Sequence, residues 1–428
     1  MTIMACAAAG VLTLAACSSS GKASSGTASA PGSVTTSGDG TSSGATGSPI
    51  TLGYITSLTG PAASSYGKSS LAGAQARVDQ ANAAGGINGH MIKLESADDQ
   101  STPTGNATAA QSLIQTKKVF GIVSVGALAF AGAPYINKMR VPYIGDGNAP
   151  QYTQRGFDNM FSYQPPVQAS VFNGKSYTWT DVGKFLKSIG VTKLATVQVN
   201  LPSTFSDATL ASAASAGVTK CLENKSIPLG GVDFTATSLA IKNKGCNGVY
   251  SVLTSSSNEA LAASVKSSGS KAKLLILGSY NPDTVATSQS SATFEDTWTL
   301  TPAVYDPAIN PASKNMIDAL VKYASPFKAG DVPSNGASAS YLAVDLALKG
   351  LEVAGKNPTR QSFITNLQKV TDYTAGGILP SPTTFAHFGT ADAIPMEHCD
   401  FFLQVKNGKF VDDAPGGKVC GTRISYTP

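Results

Sequence analysis

Short apolar runs and segments of helical periodicity alternate along the chain from residue 50 onward. The run at 51–55 predicts a buried strand, and Gly85 and Gly86 end the helical segment that follows it. In that segment the apolar residues recur at Leu71, Ala74, Val78 and Ala81. Strands and helices that alternate in this way form parallel sheets wound with crossover helices. The sequence therefore predicts an α/β fold.

The same alternation continues through two regions of the chain. In the first region we expect strands at 91–94, 119–123 and 141–144, with helices at 104–117 and 129–139. In the second region we expect strands at 194–199, 248–253 and 274–277, with helices at 179–189, 208–216 and 259–267. A long apolar helix is expected at 340–354, and Asn407-Gly408 predicts a hairpin between 401–405 and 409–411. The pattern thus indicates two windings of the same kind.

Composition excludes two broad classes of protein. The 428 residues are 42% hydrophobic and 13% charged, which suffices for a sizeable buried core. The net charge is only +5, and Lys and Arg never form a run of four or more, so we do not expect a nucleic-acid partner. No apolar stretch reaches the roughly 18 to 20 residues that a membrane-spanning helix needs. An integral membrane protein is therefore not expected.

The N-terminal segment predicts export. Residues 1–16 form a short apolar run typical of a secretory signal peptide, although no Lys or Arg precedes it. The run ends in Leu14-Ala15-Ala16-Cys17, which resembles the lipobox of bacterial lipoproteins, so Cys17 is the expected lipidation site. A chance cysteine after an alanine-rich stretch is the alternative. Residues 17–48 comprise this cysteine and a Ser/Gly-rich segment whose composition predicts a flexible tether.

Four cysteines remain in the body of the chain, and their even number in an exported protein favours disulfides. Of three possible connectivities, proximity in sequence favours Cys221 with Cys246 and Cys399 with Cys420.

No CxxC pair occurs, and the three histidines lack the spacing of metal ligands, so we expect no metal, no cofactor and histidines at the surface. A metal or thiol site at Glu397-His398-Cys399-Asp400 is set aside, because a disulfide at Cys399 would remove the thiol.

Catalytic patterns are weak. The SxxK spacing recurs along a serine-rich chain, for example at Ser19, Ser65 and Ser268, and carries no specificity. Ser124 follows a predicted strand and precedes Val125-Gly126, a partial nucleophile elbow without its first glycine. Gly145-Asp146-Gly147 lacks the third glycine of a dinucleotide fingerprint, so it predicts a ligand loop or a plain turn. We therefore expect a protein that is not an enzyme, with a serine hydrolase as the weaker alternative.

Several motifs resemble the leucine/isoleucine/valine-binding protein family, which are type I periplasmic-binding proteins of ABC importers. They are Gly60-Pro61, Tyr66-Gly67, the stretch NAAGGINGH at 82–90, DDQSTP at 98–103 and the late helix at 340–355. The resemblance implies two Rossmann-like lobes joined by three hinge crossovers, which close on a ligand. Lobe one would comprise 49–165 and 301–380, and lobe two 166–300 and 381–428. Ligand loops should follow the carboxyl ends of the strands.

The resemblance also implies the residues that bind the ligand. In the family, the loop after the strand at 119–123 presents hydroxyl and backbone N–H groups to the ligand carboxylate. Carried over to this sequence, the ligand-binding residues are Tyr66, Ser124, Val125, Gly126, Ala127, Gly147, Asn148, Phe205, Ser256 and Tyr280.

Two departures from the family pattern bear on the ligand. Family members that bind amino acids carry an acidic residue in the last of these loops, whereas 278–281 contains none. The carboxylate loop keeps only Ser124 as a hydroxyl. A buried ammonium without a partner carboxylate is costly, so an aromatic or aliphatic acid or an amide is favoured over an amino acid.

These observations predict a monomeric receptor outside the cytoplasm, anchored to the outer face of the membrane as a lipoprotein, that delivers its solute to an ABC permease. A ligand sensor for a membrane signalling partner is the alternative of a different class.

Overall fold

The computed structural model describes residues 47–165, 171–277, 280–325, 327–386, 391–413 and 415–427. The predicted signal peptide, Cys17, the tether up to residue 46, His387 and the loop residues 278–279 lie outside these ranges. Within the described residues, none of the helices combines the length and hydropathy needed to cross a bilayer.

The first sheet is built entirely from parallel strands, in the order β2-β1-β3-β4-β5. Its strands are β1 (Gly47–Thr56), β2 (His90–Asp98), β3 (Gly121–Ser124), β4 (Tyr143–Gly145) and β5 (Met160–Ser162). The crossover helices are α1 (Gly67–Ala83), α2 (Pro103–Gln115) and α3 (Ala129–Lys138). We call this sheet and the helices packed on it lobe one. The alternation predicted for this region is confirmed.

The second winding begins with β6 (Ser176–Trp179) and continues with five further strands. They are β7 (Lys193–Val199), β8 (Thr219–Ile227), β9 (Gly248–Val252), β10 (Lys273–Leu277) and β11 (Trp298–Thr301). Between them lie α4 (Asp181–Ser188), α5 (Phe205–Ser215), α6 (Thr235–Asn243), α7 (Ser255–Ser267), α8 (Pro282–Ala286) and α9 (Ser288–Phe294).

The chain then returns to the first sheet through three helices. These are α10 (Lys314–Tyr323), α11 (Asn335–Ala354) and α12 (Arg360–Leu367). Helix α11 packs along α1 and against β3 and β4. The approach is close, because a Cβ on Gly73 of α1 would lie 2.0 Å from the Ala337 carbonyl oxygen of α11. The apolar helix predicted at 340–354 is thus part of lobe one.

The last strands return to the second sheet as β12 (Glu397–Lys406), β13 (Lys409–Val411) and β14 (Gly417–Tyr426). The order is β6-β14-β12-β11-β10-β9-β7-β8, with β13 paired to β12 as the predicted hairpin. Strands β7 to β11 are parallel, whereas β12 and β14 pair antiparallel to their neighbours. We call this sheet and its helices lobe two. The chain therefore passes between the lobes three times, after β5, after β11 and after α12.

Both disulfides lie in lobe two and have the connectivity that proximity in sequence favours. Cys221 of β8 is bonded to Cys246, and Cys399 of β12 to Cys420 of β14. The second pair sits directly opposite in the antiparallel ladder. It therefore joins the two strands that complete the sheet.

Candidate functional site

A cleft lies between the lobes, at the carboxyl ends of the parallel strands of both sheets. It contains a cavity of about 130 Å³. Lobe one lines it with Ala62, Ser65, Tyr66, Ala127, Asp146 and Asn148, followed by Tyr163 and Gln164 after β5. Lobe two lines it with Val199, Phe205, Leu229, Thr254, Leu277 and Asp400, among others, and α11 adds Asn335 and Ala339. This is the place where open α/β sheets bind their ligands.

The DDQSTP motif holds the first cleft loop in place. Asp98 accepts hydrogen bonds from the N–H of Leu58 at 2.9 Å and from the hydroxyl of Thr59 at 2.6 Å. Asp99 is buried and accepts the hydroxyl of Ser57 at 2.7 Å. These bonds pin the segment that leads to Tyr66, whose ring is partly buried in the cleft wall. Burial and the nearby Asp146 raise the pKa of the Tyr66 phenol, so it stays a neutral hydrogen-bonding group.

Asp146 is a buried carboxylate in the wall of the cleft. It directly follows β4, and only 4% of its surface is exposed. Its Oδ2 accepts the side-chain amide of Asn148 at 2.7 Å, and the backbone N–H of Gly126 also donates to it. Burial raises the pKa of Asp146 to about 7, although these hydrogen bonds favour the charged form. An acidic group thus faces the cavity from lobe one.

The predicted loop 124–127 reaches the cavity only at its end. Ala127 lines the cavity, while Ser124 and Val125 are buried beneath it. The N–H of Gly126 points to Asp146, so a carboxylate of the chain itself takes the hydrogen bond that the family resemblance assigned to a ligand. Gly147 is buried behind Asn148, which does line the cavity.

Lobe two supplies an apolar wall and one aromatic ring. Phe205 begins α5 and lines the cavity, as the resemblance implied. Tyr280 does not line it, since its ring is 1% exposed and packs against Tyr305 and Phe410, with centroids 5.6 and 4.8 Å away. Ser256 is exposed at the mouth of the cleft and does not line the cavity either.

Hydroxyl and amide groups join the two lobes at the mouth of the cleft. The N–H of Ser255, which begins α7, donates to the hydroxyl oxygen of Ser65 at 3.0 Å. Asn281 donates to Ser255 Oγ at 2.8 Å and accepts from the N–H of Asn335 at 3.3 Å. We call Ser65, Ser255, Asn281 and Asn335 the mouth cluster. Because its members come from both lobes, their hydrogen bonds join the lobes across the mouth of the cleft.

The helix N-termini that reach the cleft have first-turn N–H groups already bonded within the protein. In α5 the N–H of Ser206 donates to Gln198, and in α7 that of Ser257 donates to Thr254. In α11 the N–H of Asn335 donates to the Tyr280 carbonyl oxygen at 2.8 Å. Such N–H groups are the usual binding places for anions. Here they are occupied by acceptors of the chain itself.

Charge in the cleft wall has one sign. The described residues that line the cavity include the carboxylates of Asp146 and Asp400 and no Lys, Arg or His. Asp400 reaches the cavity from β12 and is 5% exposed. The cleft therefore offers a solute apolar surface, hydroxyl and amide groups, and negative charge.

The described histidines lie away from Ser124. His90 contacts the carbonyl oxygens of Ser48 and Lys356, each at 2.8 Å. His398 belongs to lobe two and is 3% exposed, so the prediction of a surface histidine is wrong at this position. Ser124 is itself 1% exposed and ends β3. The described residues thus provide no histidine partner for a nucleophile at Ser124.

Sequence reasoning missed the acidic residue of the cleft. Asp146 was visible between two glycines directly after a predicted strand, which is the expected position of a ligand loop. Its burial could not be derived from sequence, because the wall that covers it includes Gln164, whose side chain donates to the Asp146 carbonyl oxygen at 2.7 Å.

Two α/β lobes with a cleft at the carboxyl ends of their strands are the arrangement of a solute-binding protein. The profile of the family described as "Periplasmic binding protein" matches residues 49–409, and the chain belongs to this family. The family consists of solute-binding proteins rather than enzymes.

Individual relatives agree with this assignment. Leu/Ile/Val-binding protein homolog 3 of Brucella melitensis is 28% identical over 316 residues, which cover 72% of this chain and 79% of that protein. The solute-binding protein of an ABC transporter from R. palustris, in complex with benzoate, has a TM-score of 0.69 at 15% identity, covering 88% and 97% of the two chains. LivJ of Streptococcus pneumoniae, in complex with isoleucine, has a TM-score of 0.67 at 19% identity, covering 87% and 99%. These two structures establish similarity of fold.

Proposed function

We propose that this chain is the extracytoplasmic solute receptor of an ABC importer, anchored to the membrane through Cys17. It closes its two lobes on a small organic solute and presents that solute to a membrane permease. The cleft at the carboxyl ends of both sheets, the mouth cluster and family membership support the receptor role. The lipobox and the Ser/Gly-rich segment after it support the anchor.

The observation that carries the choice of solute is Asp146. Relatives of this fold were solved with benzoate and with isoleucine, and both ligands carry a carboxylate. In this chain the N–H of Gly126 is bonded to Asp146, and the lining residues include no Lys or Arg. A solute carboxylate placed there would meet a buried charge of its own sign without a cation.

We therefore favour a small solute with an apolar body and an amine or amide group as hydrogen-bond donor. An ammonium or amide N–H can donate to Asp146, which supplies a buried acceptor. The apolar body would pack on Phe205 and the aliphatic residues of lobe two.

A second class of solute has one specific observation in its favour. Because the pKa of Asp146 is raised to about 7, a protonated Asp146 can donate a hydrogen bond to a carboxylic acid in mildly acidic surroundings. Under this alternative the protein binds carboxylates below about pH 7 and loses them above it.

The test is the thermal midpoint of the purified full chain with two matched sets of compounds. One set is benzylamine, benzamide and benzoate, and the other is leucine, leucinamide and isovalerate. A ligand present at about 100 times its Kd adds about 2.7 kcal/mol, which raises the midpoint by a few degrees. We expect shifts with amines or amides and none with benzoate or isovalerate at pH 8.

The matched variants are D146N and D318N. Both remove one carboxylate, but Asp318 is exposed and pairs with Lys314 outside the cleft. D146N should abolish the amine shift, and D318N should preserve it. Shifts produced by benzoate at pH 8, or by leucine but not leucinamide, would overturn the amine-or-amide assignment. Loss of cellular uptake of the same solute after gene deletion would test the importer.

A further inference from the structure

Three chemistry-bearing side chains converge inside lobe two, away from the mouth of the cleft. His398 and Asp400 are two positions apart on β12, so both point to the same face of the sheet. Asp181 begins α4, which packs over β12 and β14 on that face. One ligand atom from each of the three residues lies within 4.8 Å of the others. We call Asp181, His398 and Asp400 the lobe-two triad.

The triad is buried and its polar atoms lack partners. Asp181, His398 and Asp400 are 2%, 3% and 5% exposed. Neither ring nitrogen of His398 makes a hydrogen bond of acceptable geometry with a described residue, although Nε2 lies 3.2 Å from Asp400 Oδ1. Asp181 Oδ2 also has no hydrogen-bond partner among the described residues, whereas Asp400 Oδ1 has the contact with His398. Buried polar atoms of native proteins are almost always satisfied, so His398 Nδ1 and Asp181 Oδ2 in one place indicate a missing partner.

Two cations of the described residues near the triad are bonded to backbone carbonyl oxygens rather than to the two carboxylates. The ring of Trp179 lies 4.4 Å from the His398 ring and covers it. Lys184, on the same helix as Asp181, donates to the Cys420 carbonyl oxygen, and Arg423 of β14 donates to the Ala391 and Ile394 carbonyl oxygens. The phenol of Tyr250, from β9, also interacts with Asp181 and Asp400.

We propose that Asp181, His398 and Asp400 bind one divalent transition-metal ion, with zinc as the expected ion. Two carboxylates and one imidazole form a donor set that zinc accepts in three-ligand protein sites. A divalent ion would bind one atom of each residue and offset both buried negative charges. Asp400 also lines the cleft, so the ion would sit at the boundary between the interior of lobe two and the solute cavity. This proposal uses different residues from the solute assignment and does not rest on it.

The test measures zinc bound to the full chain after treatment with chelator. Where the chain is produced without signal cleavage and lipidation, Cys6 and Cys17, which are outside the two disulfides, are replaced by serine so that free thiols do not compete. Isothermal titration with zinc chloride should give one ion per chain, with binding much weaker for magnesium. X-ray absorption at the zinc edge should show oxygen and nitrogen neighbours and no sulfur.

The variants D181N and H398Q should weaken zinc binding by about 10-fold to 100-fold or more. H90Q is the matched control, because His90 is the described histidine outside the triad. If zinc does not bind the wild-type chain at 100 times the protein concentration, or binds equally to D181N and H398Q, the triad is a proton-sharing cluster and the proposal is wrong. If a variant does not fold, the X-ray absorption spectrum of the zinc-bound wild-type chain still tests the proposal. Sulfur neighbours, or the absence of an imidazole neighbour, would show that zinc does not bind at the triad.

Discussion

Two buried acidic centres, one in each lobe, differ in what can neutralise them. In lobe one, Asp146 borders the cavity and accepts hydrogen bonds from Asn148 and Gly126. In lobe two, Asp181 packs against His398 and Asp400 inside the lobe, and its Oδ2 has no partner among the described residues. An acid at a cavity can be compensated by a solute that comes and goes, whereas an acid inside a lobe needs a permanent partner. The position of each centre therefore indicates a transient ligand for Asp146 and a resident one for the triad.

The largest expected effect comes from removing the histidine of the lobe-two triad. H398A leaves two buried carboxylates without their imidazole, and breaking a buried charged pair in this way costs about 3 to 5 kcal/mol. The free energy of unfolding from urea titration would measure the loss. H90A, at the partly exposed histidine of lobe one, should cost less than about 1 kcal/mol. Equal losses in the two variants would mean that the triad is not a charged centre.

The disulfides can separate the two centres from each other. Replacing Cys399 and Cys420 by serine opens a loop with a sequence separation of 21, and replacing Cys221 and Cys246 opens one of 25. Each change should lower the free energy of unfolding by about 3 kcal/mol, because the loops are of similar length. Cys399 lies between His398 and Asp400 on β12, so loss of the Cys399–Cys420 disulfide should weaken zinc binding. Loss of the Cys221–Cys246 disulfide should leave zinc binding unchanged. Solute binding should be measured at temperatures where both variants remain folded. If both variants lose solute binding, the Asp146 centre and the lobe-two triad are not independent.

Stability should depend on pH through Asp146. Its pKa is raised to about 7, so the folded protein retains a proton that the unfolded chain releases near pH 4. The free energy of unfolding should therefore fall as pH rises from about 4 to 7, by at most about 1.4 kcal/mol per pH unit. Urea titrations of the wild type and D146N at pH 5.5 and 6.5 would measure the difference between their slopes. Identical slopes would mean that the pKa of Asp146 in the folded protein is the same as that of an exposed aspartate.

The smallest expected effect concerns the mouth cluster. S65A removes the hydroxyl that accepts from the N–H of Ser255, a net contribution of about 1 kcal/mol, so solute should bind about 5-fold more weakly. Calorimetry with the best solute of the panel would measure the change. S69A is the control, since Ser69 donates to the Tyr66 carbonyl oxygen within lobe one. If S69A loses more solute affinity than S65A, the mouth cluster is not the main contact between the lobes.

Much of the fold could be predicted because buried parallel strands are continuous apolar runs. Strands such as β7 and β10 have this pattern, and the strands predicted at 194–199 and 274–277 are confirmed. Strands β8 and β14 were missed, since their residues are mostly partly or fully exposed and include Lys, Glu and Arg. An edge or outer antiparallel strand carries a weak apolar signal, and only its partners in space identify it.

The candidate site could be predicted in part, for a different reason. Tyr66, Ala127, Asn148 and Phe205 line the cavity, and each follows the carboxyl end of a strand or begins the next helix. The lobe-two triad was beyond sequence reasoning, because Asp181 meets His398 only after the chain has crossed to lobe one and back. In the sequence, a disulfide at Cys399 argues against a metal or thiol site at 397–400. In the structure, the same disulfide holds β12, the strand that carries His398 and Asp400.

The order of strands in the second sheet has a consequence for biosynthesis. Strand β6 is the first of this sheet to be synthesised, and its described strand partner is β14, which is formed by some of the last residues. Helix α11, which packs on α1, is likewise made only after lobe two has begun. Neither lobe therefore has all of its packing partners until most of the chain has been synthesised.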